Sequence, residues 1–155
     1  MGLLNRIFGK GDEKQCPRCL GKGHVDMADI KRLKMELSWL PGKCAYCNGA
    51  GNISSSFEKN VEVDCSYLTI DIGPDERSRL FKGEPAALQR AAEHEQLIKN
   101  YVAQIWYLYS IGNLSANQIA DFFLFSYLPG ELTQPSRDEL VGYINTVILE
   151  KTTKN

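Results

Sequence analysis

Cys16-Pro-Arg-Cys19-Leu-Gly21-Lys-Gly23 and Cys44-Ala-Tyr-Cys47-Asn-Gly49-Ala-Gly51 are two copies of one pattern, C-x-x-C-x-G-x-G, and they decide the fold of the first third of the chain. Two thiolates separated by two residues reach one ion from a single tight turn, and zinc takes four such ligands in a tetrahedron. The N–H groups of this turn, or knuckle, point at the sulfurs and spread their negative charge. Glycines suit a chain that doubles back past a metal, because they accept positive φ without a Cβ clash. Two knuckles supply Cys16, Cys19, Cys44 and Cys47, and Gly21, Gly23, Gly49 and Gly51 are their turn glycines. Four thiolates close the coordination sphere of one zinc ion. No position remains for water or substrate, so the expected metal is structural.

Two other uses of cysteine fit the pattern less well. A disulfide framework is disfavoured by the odd count of five cysteines. The opening Met1-Gly-Leu-Leu-Asn-Arg-Ile-Phe8 is charged too early for a secretory segment, which points to a reducing, cytoplasmic setting. A redox-active C-x-x-C would require one pair at a helix start beside a strand. It would leave the second pair and the matched glycines unexplained. The loop between the pairs is somewhat longer than the usual zinc-ribbon interval.

The duplicated C-x-x-C-x-G-x-G pattern resembles the cysteine-rich zinc domain of DnaJ-type co-chaperones. The resemblance covers residues 16–51, about a quarter of the chain. That family usually carries four repeats and two zinc ions, so two repeats imply one ion on Cys16, Cys19, Cys44 and Cys47. Asn60-Val-Glu-Val-Asp64, Ile70-Asp-Ile-Gly-Pro74 and Arg79-Leu-Phe-Lys-Gly-Glu84 faintly resemble the strand, turn and glycine that follow in the family. The departure is the J-domain: its His-Pro-Asp tripeptide is absent, since neither His24 nor His94 precedes proline. Only the zinc module carries over.

Outward from the knuckles, the chain reads as mainly α, with a small zinc-knuckle module, a helical insertion, a short β segment and a three-helix C-terminal bundle. Residues 1–15 form an amphipathic lead with Leu3, Leu4, Ile7 and Phe8 on one side. A frayed helix packed on the body is the plainer reading of it than a membrane anchor. Residues 16–53 are the zinc-binding module. Within it, residues 29–40 carry the helical stripe Ile30, Leu33, Leu37 and Leu40, with Asp26 or Asp29 as cap and Pro41-Gly42 as stop. Residues 54–83 read as a linker: Ser54-Ser-Ser56, then a strand from the alternation of Val61, Val63, Cys65 and Tyr67. Cys65 sits on the apolar phase and reads as a small buried hydrophobe.

Residues 84–155 read as three helices. Pro85 suits a first helical position, and Leu97, Ile98, Tyr101, Val102, Ile105, Leu108 and Tyr109 keep a helical period up to Gly112. Trp106 and Tyr107 widen that face, so this helix is expected to be central. Ser115 with Gln118, and Ser136 with Glu139, form capping boxes for the next two. Leu114 and Ile119 are spaced as a hydrophobic staple, and Pro129-Gly130 ends the middle helix.

Composition narrows the function classes. The 155 residues are 43% hydrophobic and 24% charged, as in globular proteins, which excludes wholesale disorder. No run approaches the ~18 apolar residues of a membrane span; residues 101–111, the most apolar, contain Gln104 and Ser110. The net charge of −1 argues against generic nucleic-acid binding, although residues 1–60 carry ten Lys/Arg against six Asp/Glu. Lys31, Arg32, Lys34 and Lys43 are the candidate phosphate contacts. Trp39, Tyr46 and the Phe122–Phe125 cluster are candidate stacking or peptide-gripping groups, with core packing the commoner role. His24, His94, Glu93, Glu95 and Asp121 have no nucleophile or partner suggesting catalysis, and no phosphate-binding G-x-x-x-x-G-K-[ST] loop is present. The expectation is a non-enzymatic, zinc-stabilised adaptor or chaperone-like factor that binds a protein partner or unfolded polypeptide. A nucleic-acid-binding zinc protein using the basic face of the module is the second reading, and a thiol–disulfide enzyme the third.

Overall fold

The computed structural model describes residues 12–70, 72–126 and 135–154; the apolar lead residues Leu3, Leu4, Ile7 and Phe8 and the Pro129-Gly130 stop lie outside them. The fold is mainly α, with four very short strands among the described residues. In chain order the elements are β1 (Glu13–Gln15), β2 (His24–Val25), α1 (Met27–Arg32), β3 (Gly42–Lys43), β4 (Asn52–Ser54), α2 (Ser55–Asn60), α3 (Pro74–Phe81), α4 (Pro85–Ser110), α5 (Ala116–Ser126) and α6 (Arg137–Lys154).

The strands mirror the sequence repeat. β1, which enters the first knuckle, pairs antiparallel with β4, which leaves the second. β3, which enters the second, pairs antiparallel with β2, which leaves the first. The expected β segment at residues 61–67 is therefore misplaced. That stretch forms turns, with the Cys65 N–H donating to Glu62 and the Leu68 N–H to Cys65. Its carbonyls do not join a ladder: those of Val63 and Leu68 accept from the Arg18 guanidinium at 2.8 and 2.6 Å. An arginine has taken the place of a neighbouring strand.

Other boundaries shift for local reasons. Asp26 and Asp29 cap α1 reciprocally, but the helix covers six residues and not the expected 29–40. Lys34 turns left-handed at φ 59, and the N–H groups of Lys34 and Met35 bond back to Lys31 and Ile30. This is a Schellman ending with lysine where glycine is usual, so the sequence carried no stop signal there. Ser54 is no linker residue: its hydroxyl accepts from the Phe57 N–H and starts α2. The linker also hides α3, which has Pro74 in its first turn followed by Asp75 and Glu76.

The last three helices pack against one another as a bundle. Ser115 and Gln118 cap α5 reciprocally, and the Ser136 hydroxyl accepts from the Glu139 N–H at the start of α6. The central helix is α6 and not α4: it packs on α1, α4 and α5 and buries Leu140, Tyr143, Ile144, Thr146 and Val147. α4 buries Ile98, Val102 and Ile105 but leaves Leu97, Tyr107 and Tyr109 exposed. One core runs from the knuckle cysteines through Trp39, Leu40, Leu68 and Ile70 into the bundle. Leu40 reaches in among Tyr101, Ile105, Phe123, Leu140 and Tyr143. A smaller cluster of Leu80, Ala87 and Ala91 joins α3 to α4.

Candidate metal centre

Each knuckle builds half of a four-sulfur cluster. The Cys16 N–H donates to the Gly51 carbonyl at 2.8 Å, and the Cys44 N–H to the Gly23 carbonyl at 3.0 Å. Leu20 and Asn48 occupy the same left-handed position in the two copies, at φ 53 and 55. The Gly23 N–H points at the Cys19 sulfur and the Gly51 N–H at the Cys47 sulfur, both at 3.2 Å. The two repeats are thus equivalent halves around a local two-fold. Their second glycines interlock: a Cβ on Gly23 would lie 2.5 Å from the Gly49 carbonyl oxygen, and one on Gly51 would lie 2.5 Å from that of Gly21.

The symmetry converges on the sulfurs. Cys16 and Cys44 are 3.8 Å apart, as are Cys19 and Cys47, and all four sulfurs lie within 4.8 Å of one another. A disulfide would require about 2.05 Å. The two 3.8 Å edges are those of a tetrahedron about 2.3 Å from centre to corner, the zinc–thiolate bond length, and the remaining edges are within 4.8 Å. The four cysteines are buried and positioned to bind a metal ion.

Without an ion, electrostatics divide the thiols. The Cys16 thiol is pulled down to about 5, first by its hydrogen bond with Cys44 and, against the opposing effect of burial, by the N–H groups of Cys19 and Arg18. The same bond and burial push Cys44 up. Burial pushes the Cys19 thiol up as well.

No family model, curated protein or solved structure matches this chain. The functional reading therefore rests on the site itself.

Around the sulfurs the structure sorts the remaining candidates. Cys65 is partly exposed and lies outside the cluster. His24 takes no place among the sulfurs; its Nε2 meets a Glu139 carboxylate oxygen at 2.8 Å, joining the first knuckle to α6. His94 lies on α4 beside Thr69, bordering two surface hollows. The basic group is partly spent on structure. Arg32 donates to the Arg18 carbonyl at 2.8 Å and to Asp29 at 3.2 Å, leaving Lys31, Lys34 and Lys43 without ion pairs among the described residues. Trp39 and Tyr46 are buried, whereas Phe125 is 89% exposed.

Two residues that the sequence reading passed over frame the cluster. Arg18, inside the first knuckle, is fully buried and lies 4.2 Å from the Trp39 ring centre and 5.2 Å from that of Tyr46. Arg77, on α3, donates to the carbonyl of Ala45 inside the second knuckle and stacks near Phe57 and Phe81. Periodicity cannot flag either one, because a lone arginine in a polar stretch reads as solvent-exposed. The one available signal was the pairing of Trp39 and Tyr46 with an arginine between two ligands.

Proposed function

We propose that this chain is a zinc-binding, non-enzymatic protein-interaction factor, an adaptor or chaperone-like protein built on a two-knuckle module of the DnaJ kind. One observation carries the reading: four buried cysteine sulfurs, two from each repeat, lie within 4.8 Å of one another, close enough to hold one metal ion, and four thiolates are a donor set that suits zinc. All four corners are protein thiols, so one structural zinc per chain fits the donor set. The pairing of β1 with β4 and β2 with β3 supports treating the repeats as one module. A partner of protein character, or an unfolded polypeptide, suits the apolar groups left exposed: Phe125, Ile111, Tyr107 and Leu149. A reducing, cytoplasmic setting suits the free thiols. No helix of the described residues is long and apolar enough to cross a membrane.

The purified protein is expected to contain one zinc per chain, and Cys16→Ser or Cys44→Ser to lower that content sharply, measured by elemental analysis. Two zinc ions, or an iron–sulfur chromophore, would overturn the single-site reading. Pull-down with the intact chain, together with suppression of aggregation of a denatured test protein, addresses the partner.

The nucleic-acid reading keeps one supporting observation, the unpaired Lys31, Lys34 and Lys43 on the module. A salt titration separates the two. Three or so phosphate contacts would make log K fall with log salt at a slope of roughly −2 to −3. A protein interface centred on apolar groups is expected to show a much flatter dependence.

A further inference from the structure

Arg18 and Arg77 place two cations against the knuckles, without a carboxylate partner among the described residues. Arg18 is fully buried, and Arg77 is partly buried between two aromatic rings. Their hydrogen bonds go to neutral carbonyls: Arg18 to Val63, Leu68 and Cys65, Arg77 to Ala45. A buried cation needs a compensating charge, since carbonyl dipoles and ring faces offset only part of its desolvation. Both are placed in the knuckles themselves: Arg18 stands between Cys16 and Cys19, and Arg77 donates to the carbonyl of Ala45, between Cys44 and Cys47.

The charges then match. Four thiolates around a divalent ion keep two negative charges, and two guanidinium groups cancel them. A monovalent ion would leave one negative charge in excess, and a trivalent ion one positive. We propose that Arg18 and Arg77 are the counter-charges of the loaded centre and tune it for a divalent ion. They are positioning residues, because neither supplies a metal ligand. The inference rests on the reading of the four cysteines as metal ligands, and it adds the residues that balance the charge of the loaded site. It also gives a reason for the shape of the 61–81 segment. That segment wraps the module because its carbonyls and α3 hold the two counter-charges in place.

The test compares the parent with Arg77→Lys and Arg77→Met, since Arg77 is the less buried of the two. Zinc affinity is measured by competition with a chelator. Each protein is also loaded with iron, and its Fe(III)/Fe(II) midpoint potential recorded. Arg77→Met is expected to weaken zinc binding about tenfold, within the range for groups that support metal ligands. It should also move the iron potential negative by about 59 mV, the equivalent of tenfold for one electron, because the trivalent state loses a repulsive neighbour. Arg77→Lys keeps the charge and should recover most of both effects. Arg18→Met is expected to act in the same direction and more strongly.

An Arg77→Met protein with parental zinc affinity and potential would overturn the proposal. So would a loss of affinity that lysine does not recover and that leaves the potential unmoved, since that pattern belongs to packing alone. A parent chain that takes up neither zinc nor iron would overturn the metal reading beneath it, a result distinct from both.

Discussion

Removing the metal with a strong chelator is expected to unfold residues 16–54 while α4, α5 and α6 keep most of their helical circular dichroism. Zinc held by small thiolate sites contributes apparent free energies of about 10–16 kcal/mol, as much as or more than the whole stability of a typical domain. Within the module, strands of two or three residues supply few ladder hydrogen bonds. Its centre is sulfur, and burying thiolates without an ion is costly. By contrast α5 and α6 carry their own caps, α4 opens on Pro85, and the three share an apolar interior. They will not be untouched, because Leu40 of the insertion is part of the bundle core. Withdrawing it resembles a large-to-small core substitution, worth about 2–5 kcal/mol, so the remaining helices should melt at lower temperature. Hydrogen exchange resolved by segment is the decisive measurement. Unchanged protection of residues 16–54 after complete loss of metal would show that packing alone holds the module. If the knuckles present the partner surface, partner affinity should vanish with the metal and return on reloading. Affinity that survives while the knuckles are unfolded assigns binding to the helices.

The clustering of the four cysteines was legible in the sequence because two C-x-x-C turns with glycines to follow are a local pattern that distant packing does not disguise. The three C-terminal helices were legible for a related reason: Pro85, Ser115 with Gln118, and Ser136 with Glu139 are local start signals, and the apolar periods between them are long. What escaped depends on contacts distant in the chain. The strands are too short for alternation to register, and their pairing follows from the two-fold relation of the knuckles. The alternation of Val61, Val63, Cys65 and Tyr67 was real, but the Arg18 side chain, more than 40 residues earlier, claimed the backbone carbonyls of that stretch. A periodic pattern says which side chains face inward, not what the backbone bonds to. α4 was misjudged as central because the exposure of Tyr107 and Tyr109 is decided by where α6 lies.

Gly23→Ala and Gly51→Ala are expected to be among the most damaging single-methyl changes in the chain, each lowering stability by about 2–5 kcal/mol. Two costs add. Both positions have positive φ, +74 and +82, where an L side chain is strained by roughly 1–2 kcal/mol. In addition the new Cβ would sit 2.5 Å from a backbone carbonyl oxygen of the opposite repeat, which a side-chain rotation cannot relieve. Overpacking of that kind costs about 1–3 kcal/mol. Gly83 separates the costs, since its φ is +70 and nothing lies within 4 Å of a Cβ built there. Gly83→Ala should show the conformational strain alone, about 1–2 kcal/mol. The clash also has a direction. Gly49 and Gly21 each follow a cysteine of the cluster by two residues, so pushing either carbonyl away is expected to tilt Cys47 or Cys19 and spread the four sulfurs. Zinc affinity should therefore fall in Gly23→Ala and Gly51→Ala, to similar extents because the two halves are equivalent, and stay unchanged in Gly83→Ala. Denaturant unfolding of the zinc-loaded proteins and chelator competition measure the two effects. A Gly23→Ala protein no less stable than Gly83→Ala would mean that the repeats do not interlock, and a large difference between Gly23→Ala and Gly51→Ala would mean that the two-fold relation does not extend to their energetics.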